Sequence, residues 1–248
     1  MPLGVEVGYM EQQVQPEETI RVLVVAAHPD DPEFGCGGTT ARWAAEGREI
    51  YYLVCTRGNK GSSDTEMTAD RLIRIREEEQ RAAAKVIGAR EVTFLDFPDG
   101  ELAPTFQFRE AIVREIRRVR PRVVITHDPT VMYTAGHINH PDHRAVGTAT
   151  LDSVYPTARD RLNYPEHERA GLLPHKVKEV YLWGATSSNT WIDISSSFDR
   201  KLEALRCHVS QVGTAERMAE RMAERAKAVG DPQGIPLAEA FFRVEMAR

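Results

Sequence analysis

A chain of 248 residues with 42% hydrophobic and 28% charged side chains is long enough to bury a full core without disulfide staples. Its formal net charge of −5 argues against a nucleic-acid or other polyanionic partner, which favours a basic surface. Cys36, Cys55 and Cys207 lie far apart with no CxxC pair and read as reduced thiols of a cytoplasmic protein; no signal peptide is evident, and no apolar run approaches the roughly 20 residues of a membrane helix.

Residues 1–19 are polar and without a period, and read as a flexible arm ahead of a single domain over 20–248. Residues 21–27 form a continuous apolar run, the pattern of a strand buried on both faces of a parallel sheet. The run stops at His28-Pro29-Asp30-Asp31-Pro32, where two prolines bar a smooth passage into more strand or into a helix. Gly35, Gly37 and Gly38 follow, then a helix over 39–46 stopped by Gly47. Residues 49–56 read as a strand ending in a loop with Gly58 and Gly61, and 68–87 as a long charged helix stopped by Gly88. Next come a short strand at 91–95, a Pro98-Asp99-Gly100 turn, a helix at 106–119 stopped before Pro121 and an apolar strand at 122–127. A loop from Asp128 to Pro141 leads into a helix at 142–153. Residues 156–178 read as irregular, 179–184 and 190–194 as strands, 197–209 and 214–229 as helices, and 236–244 as a tail docked on the core through Phe241 and Phe242. This alternation predicts βαβ units and a parallel, doubly wound α/β sheet.

In such sheets, sites form outside the carboxyl ends of the strands. Polar clusters fall there after the first strand (His28, Asp30, Asp31), after the second (residues 56–61) and after the fourth (His127, Asp128, then His137, His140, Asp142 and His143). His28 and Asp31 on one tight turn, with His143 from the distant loop, form a two-His, one-carboxylate set that suits zinc (Zn2+) and is compatible with iron (Fe2+). Asp30, beside a ligand, can face the water as general base. His140 stands three residues before His143, on the same face if the helix has begun, where it can stabilise an oxyanion; Asp142 can orient it and keep it cationic. His127 and His137 read as residues lining the loop. Each cluster alone reads equally as a plain turn or a helix start; two of them at rim positions do not. Gly35-Cys36-Gly37-Gly38 has the look of a phosphate cradle but lacks the full GxGxxG pattern, and the acids before it repel an anion.

At Ala27-His28-Pro29-Asp30-Asp31 and, about 110 residues on, His140-Pro141-Asp142-His143, the chain resembles the LmbE-like (PIG-L-type) N-acetylglucosaminyl deacetylase family. Supporting matches are Thr56-Arg57-Gly58 with Gly61, the helix carrying Arg76, Glu79 and Gly88, Asp96 near Pro98-Asp99-Gly100, and Lys201 with His208-Val209-Ser210-Gln211. The resemblance implies a Rossmann-like three-layer αβα fold with one zinc ion on His28, Asp31 and His143. It implies Asp30 as general base and His140, supported by Asp142, at the tetrahedral intermediate. It further implies Arg76 and Asp96 at the sugar, and assembly as a trimer or hexamer. The chain departs from many relatives at Asn59, and at Pro32, which precedes Glu33 where an acid usually follows the aspartate pair directly.

The leading expectation is therefore metal-dependent hydrolysis of an N-acetyl amino sugar conjugate, giving acetate and a free amine. The same kit suits another small amide or a thiol–sugar conjugate. A non-catalytic nucleotide-binding module is disfavoured by the missing GxGxxG after the first strand.

Overall fold

A computed structural model describes residues 19–246, so the arm read at the N-terminus lies, but for its last residue, outside the described residues. The first half of the described chain runs β1 (Arg21–Ala26), α1 (Asp31–Ala45), β2 (Glu49–Thr56), α2 (Ala69–Ile87), β3 (Glu91–Phe97), α3 (Phe106–Val119) and β4 (Val123–His127). The second half adds a small hairpin of β5 (Tyr133–Thr134) and β6 (His137–Ile138), then α4 (Pro141–Asp152), α5 (Pro165–Arg169) and β7 (Glu179–Trp183). It ends with β8 (Thr190–Asp193), α6 (Phe198–Arg206), α7 (Ala215–Gly230) and β9 (Ala238–Glu245). Among the described residues, no helix is long and apolar enough to cross a membrane.

One seven-stranded sheet organises these elements, in the order β3-β2-β1-β4-β7-β9-β8. All its pairings are parallel except the two that β9 makes, with β7 and β8. Strand β1 shows why the fold has three layers. Val22, Val24 and Ala26 face a core shared with Trp43 of α1 and Ala83, Ala84 and Ile87 of α2. The alternate residues Leu23 and Val25 face Phe108, Ile112 and Ile116 of α3 and Val146 and Ala149 of α4. A strand buried on both faces needs apolar residues at every position, and the run supplies them from Val22 to Ala27, with Arg21 exposed at its start. Thr68 and Thr105 accept the backbone N–H of Arg71 and Phe108 and so cap α2 and α3. Gly88, at φ 90°, ends α2 in the left-handed region.

Two expectations change. The helix read at 39–46 starts eight residues earlier, at Asp31, with one non-helical residue at Cys36. Pro32 stands in its first turn, where the missing N–H costs nothing, so the second proline admits the helix that it was taken to bar. The glycines after it serve close approach: a Cβ on Gly35 would lie 2.7 Å from the Trp183 ring, and one on Gly38 2.8 Å from Ile194. The tail over 236–244 is a strand, β9, inserted between β7 and β8, with Phe241 fully buried.

Gly147 links this packing to the site. A Cβ there would meet the His127 carbonyl oxygen at 2.5 Å, so α4 lies against the end of β4 only because the residue has no side chain. Gly147→Ala must push α4, and His143 with it, away from the strand. We expect urea unfolding to show a loss of roughly 1–3 kcal/mol, the usual cost of overpacking.

Candidate metal centre and active site

Strands β1 and β4 are neighbours, but the helices that follow them pack on opposite faces of the sheet, so their carboxyl ends open a crevice. Ala27 N–H donates to His127 Nε2 at 3.2 Å across it. Asp31, in the first turn of α1, sits at the centre. Its Oδ2 accepts the His28 backbone N–H at 2.8 Å and lies 3.3 Å from His28 Nδ1, while Oδ1 lies 3.2 Å from His143 Nε2. Residues 28, 31 and 143, separated by more than a hundred positions in sequence, thus meet around one carboxylate.

The hydrogen bonds decide where lone pairs point. Asn139 Nδ2 donates to the Val131 carbonyl at 2.8 Å, which turns Asn139 Oδ1 toward His143 Nδ1 at 3.1 Å. Nδ1 of His143 then carries a hydrogen, and Nε2 is the nitrogen that faces Asp31. At 3.2 Å, that nitrogen and the Asp31 oxygen can share a proton or a metal ion. His28 is held the other way round. Its Nε2 lies 3.1 Å from Asp99 and 3.2 Å from Asp142, which leaves Nδ1 toward Asp31. Burial opposes charge on His28, but the hydrogen bonds to Asp142, Asp31 and Asp99 prevail and push its pKa up to about 12. The surroundings therefore favour positive charge at this ring, and a divalent cation at Nδ1 supplies it by displacing a proton.

Three overlapping groups bring ligand atoms within 4.8 Å of one another: His28, His140 and His143; Asp31, His127 and His143; and His28, Asp99 and Asp142. Lone-pair accounting separates them. The His127 nitrogen nearest Asp31 already accepts the Ala27 N–H, and burial lowers the pKa of His127 to about 4, so it stays neutral as a wall of the site. His140 caps α4 with Nδ1 accepting the Asp142 N–H at 3.2 Å, which leaves its Nε2 hydrogen free to donate. Asp99 and Asp142 hold His28 from behind. The set with donors to spare is His28, Asp31 and His143, whose chemistry fits zinc or iron(II).

Asp30 is the one residue of the turn with φ at 91°, a strained value for a non-glycine. The strain lets two consecutive carboxylates serve different partners: Asp31 meets the imidazoles, while Asp30 Oδ2 lies 3.4 Å from Arg76. Burial, with the charge of Asp31, raises the Asp30 pKa to about 7 against the pull of Arg76 and His208. A cavity of about 290 Å³ opens beside Asp31, lined by His127, His137, Asn139, His143 and Trp183 among others.

Three expectations are revised. Asp96 points into solvent, its side chain 87% exposed and paired with Arg57, and stands outside the site. The carboxylate that enters is Asp99, three residues on in the turn, where burial works against ionisation but the bond to His28 and the Lys60 N–H hold its pKa at about 2. Arg76 is buried, with Nη1 on the Gly58 carbonyl, Nη2 on the Pro29 carbonyl and beside Asp30, and Nε buried without a partner, so it clamps two loops and the acid. The Asp142 carboxylate turns to His28 and to the N–H groups of Gly100 and Leu102; His140 is oriented by the Asp142 backbone, and burial lowers its pKa instead of keeping it cationic. Asp99, Asn139 and Gln80 were not singled out from the sequence. Asn139 adjoins His140, and Asp99 was visible only as a turn residue.

A crevice at the switch point of a parallel sheet, lined by imidazoles and carboxylates with lone pairs converging, defines an α/β protein built to hold a cation. Residues 23–154 match the family of GlcNAc-PI de-N-acetylase, PIG-L. A diacetylchitobiose deacetylase of Thermococcus kodakarensis is 35% identical over 191 residues, covering 77% of this chain and 70% of the relative. A 1D-myo-inositol 2-acetamido-2-deoxy-alpha-D-glucopyranoside deacetylase of Rhodococcus jostii is 30% identical, with 79% and 82% covered. The solved structure of N,N'-diacetylchitobiose deacetylase from Pyrococcus horikoshii superposes with a TM-score of 0.85 at 27% identity, over 92% of this chain and 85% of that one. The chain belongs to the PIG-L family of de-N-acetylases.

Asp96 near the end of β3 and Asp99 in the turn after it give a direct test. Asp99→Ala removes a buried partner of His28, and urea unfolding should show a loss of about 1.5–3 kcal/mol, as for other hydrogen bonds to charged groups. Asp96→Ala should stay within about 0.5 kcal/mol of the parent, as exposed substitutions do.

Proposed function

We propose that the protein removes the N-acetyl group from an N-acetylglucosamine-type amino sugar conjugate, releasing acetate and a free amine, with zinc held by His28, Asp31 and His143. The observation that carries this reading is the meeting of the two imidazoles on the Asp31 carboxylate, with Asp30 turned aside from them. The activities named for the relatives point the same way.

A bound divalent ion supplies a water of lowered pKa and polarises the substrate carbonyl. The chain's own groups do the rest. Asp30 takes the proton of the water as its oxygen bonds to the acetyl carbon. His140 donates its Nε2 hydrogen to the carbonyl oxygen as negative charge gathers there, which a neutral ring can do. The C–N bond then breaks, and the proton held by Asp30 passes to the leaving nitrogen. Arg76 keeps Asp30 at the rim, and Asn139, Asp99 and Asp142 keep the ligand rings in their tautomers.

Asp30→Ala should still bind one equivalent of zinc but lose about 10²–10⁴ in turnover, the range that a general base contributes. Full activity in the zinc-loaded variant would remove Asp30 as the base. Dialysis against a chelator should abolish amine release from diacetylchitobiose and from N-acetylglucosaminyl inositol. Restoration by zinc supports the assignment; restoration by iron(II) alone would change the metal. A preference for a thiol–sugar conjugate over both sugars would shift the substrate while keeping the chemistry.

A further inference from the structure

A polar chain runs behind the site, between α1, α2 and the end of α6. Asp30 N–H donates to Gln80 Oε1 at 2.8 Å. Gln80 Nε2 donates to both oxygens of Glu33, at 3.0 and 3.1 Å. Glu33 Oε2 lies 3.0 Å from His208 Nε2. All three side chains are fully buried, and the chain joins α1, α2 and the turn after α6.

Each link fixes the next. A carboxylate only accepts, so Glu33 forces the amide of Gln80 to turn its NH2 inward and its oxygen toward Asp30. The same argument puts the hydrogen of His208 on Nε2, and its Nδ1 is left buried with no hydrogen-bond partner. Burial raises the cost of any broken link, since no water can replace it. The far end of the chain is the backbone amide of Asp30, the residue with φ at 91°. The Asp30 carbonyl is held as well, by the N–H groups of Glu33 and Phe34 at 3.1 Å. The strained peptide is thus clamped on both sides, and one clamp leads away from the site to His208.

We infer that Gln80, Glu33 and His208 are positioning residues that hold the Asp30 backbone in its left-handed conformation and so aim its carboxylate apart from that of Asp31. This inference rests on the reading of Asp30 as general base. None of the three touches the substrate or the ligand set His28, Asp31 and His143. The relay therefore acts on turnover and leaves cation binding alone. It also accounts for Glu33, which the sequence shows only as an acid displaced by Pro32.

The test is Gln80→Met, which keeps the shape of the side chain and removes both links. We expect kcat to fall by about 10–100-fold, the cost usual for groups that orient a site from behind, with KM and the zinc stoichiometry unchanged. The double variant Glu33→Gln with Gln80→Glu reverses the polarity of the middle link and keeps one hydrogen bond at each of the three links, giving up only the second bond between residues 80 and 33, so it should recover most of the loss. Amide exchange at Asp30, read by NMR on the whole chain, should quicken in Gln80→Met and return toward the parent rate in the double variant. Parent-like kcat in Gln80→Met overturns the inference. So does a kcat loss that tracks lost zinc and a lowered Tm, or a folded double variant with no recovery. If Gln80→Met does not fold, the double variant alone decides by the same reading. If the parent chain deacetylates no sugar, the proposed function fails separately, and the exchange rates at Asp30 alone settle the relay.

Discussion

The site depends on the adjacency of β1 and β4. These strands are separated in sequence by two full βα units, yet their ends are tied by the hydrogen bond from Ala27 N–H to His127 Nε2. Their following segments leave the sheet toward opposite layers. Polar side chains from two remote stretches must therefore face one another across the crevice with the apolar sheet beneath. The contact of His28 Nε2 with Asp142, at 3.2 Å, ties the turn after β1 to the start of α4 and so to His143. The close seat of α4, made possible at Gly147, sets how near they come.

Charge at that crevice is balanced in layers. Burial opposes charge on Asp31, but the charge that His143 brings when protonated outweighs it and holds the carboxyl well below the usual carboxylate range. His28 takes its positive character from carboxylates on three sides. Buried charges are costly unless paired and hydrogen-bonded, and here every carboxylate has an imidazole, a guanidinium or backbone N–H groups against it.

Much of this was legible in the chain, for reasons that differ by residue. The apolar run over 21–27 declares a strand buried on both faces because both core layers read it at once. The two His-and-acid clusters are legible because ligand chemistry restricts residue type, and the strand–loop alternation puts both at one rim. What failed was direction. Asp96 and Asp99 are both acids near the end of β3, and only the path of the turn decides which one enters. The register shift where β3 meets β2 near Thr56 belongs to the same corner of the sheet and has no mark in the sequence. Arg76 is an arginine of a highly charged helix, and its burial depends on Gly58 and Gly61 leaving room for it. Strand β9 reads as a docked tail in the sequence because the nine residues 236–244 do not reveal that β7 and β8 leave a gap between them.

The corrected assignments share one physical cause. Asp142 was expected to serve His140 because the two are neighbours in sequence, but a helix start points its second side chain inward, and there His28 and the N–H groups of Gly100 and Leu102 compete for the carboxylate. The backbone N–H of the same residue is free at the helix N-terminus and takes over the orientation of His140. One residue thus fixes two imidazoles through two different groups, and the consequence for chemistry is definite. An imidazole held by a backbone donor at Nδ1 is neutral with its hydrogen on Nε2, so it acts as a hydrogen-bond donor to developing charge and not as a fixed cation. Under the proposed reaction, positive charge at the reacting carbonyl would then fall to a cation held by His28, Asp31 and His143. That division of labour explains why the fold spends its carboxylates on the ligand rings and its strained backbone on the one acid that has to stay apart from them.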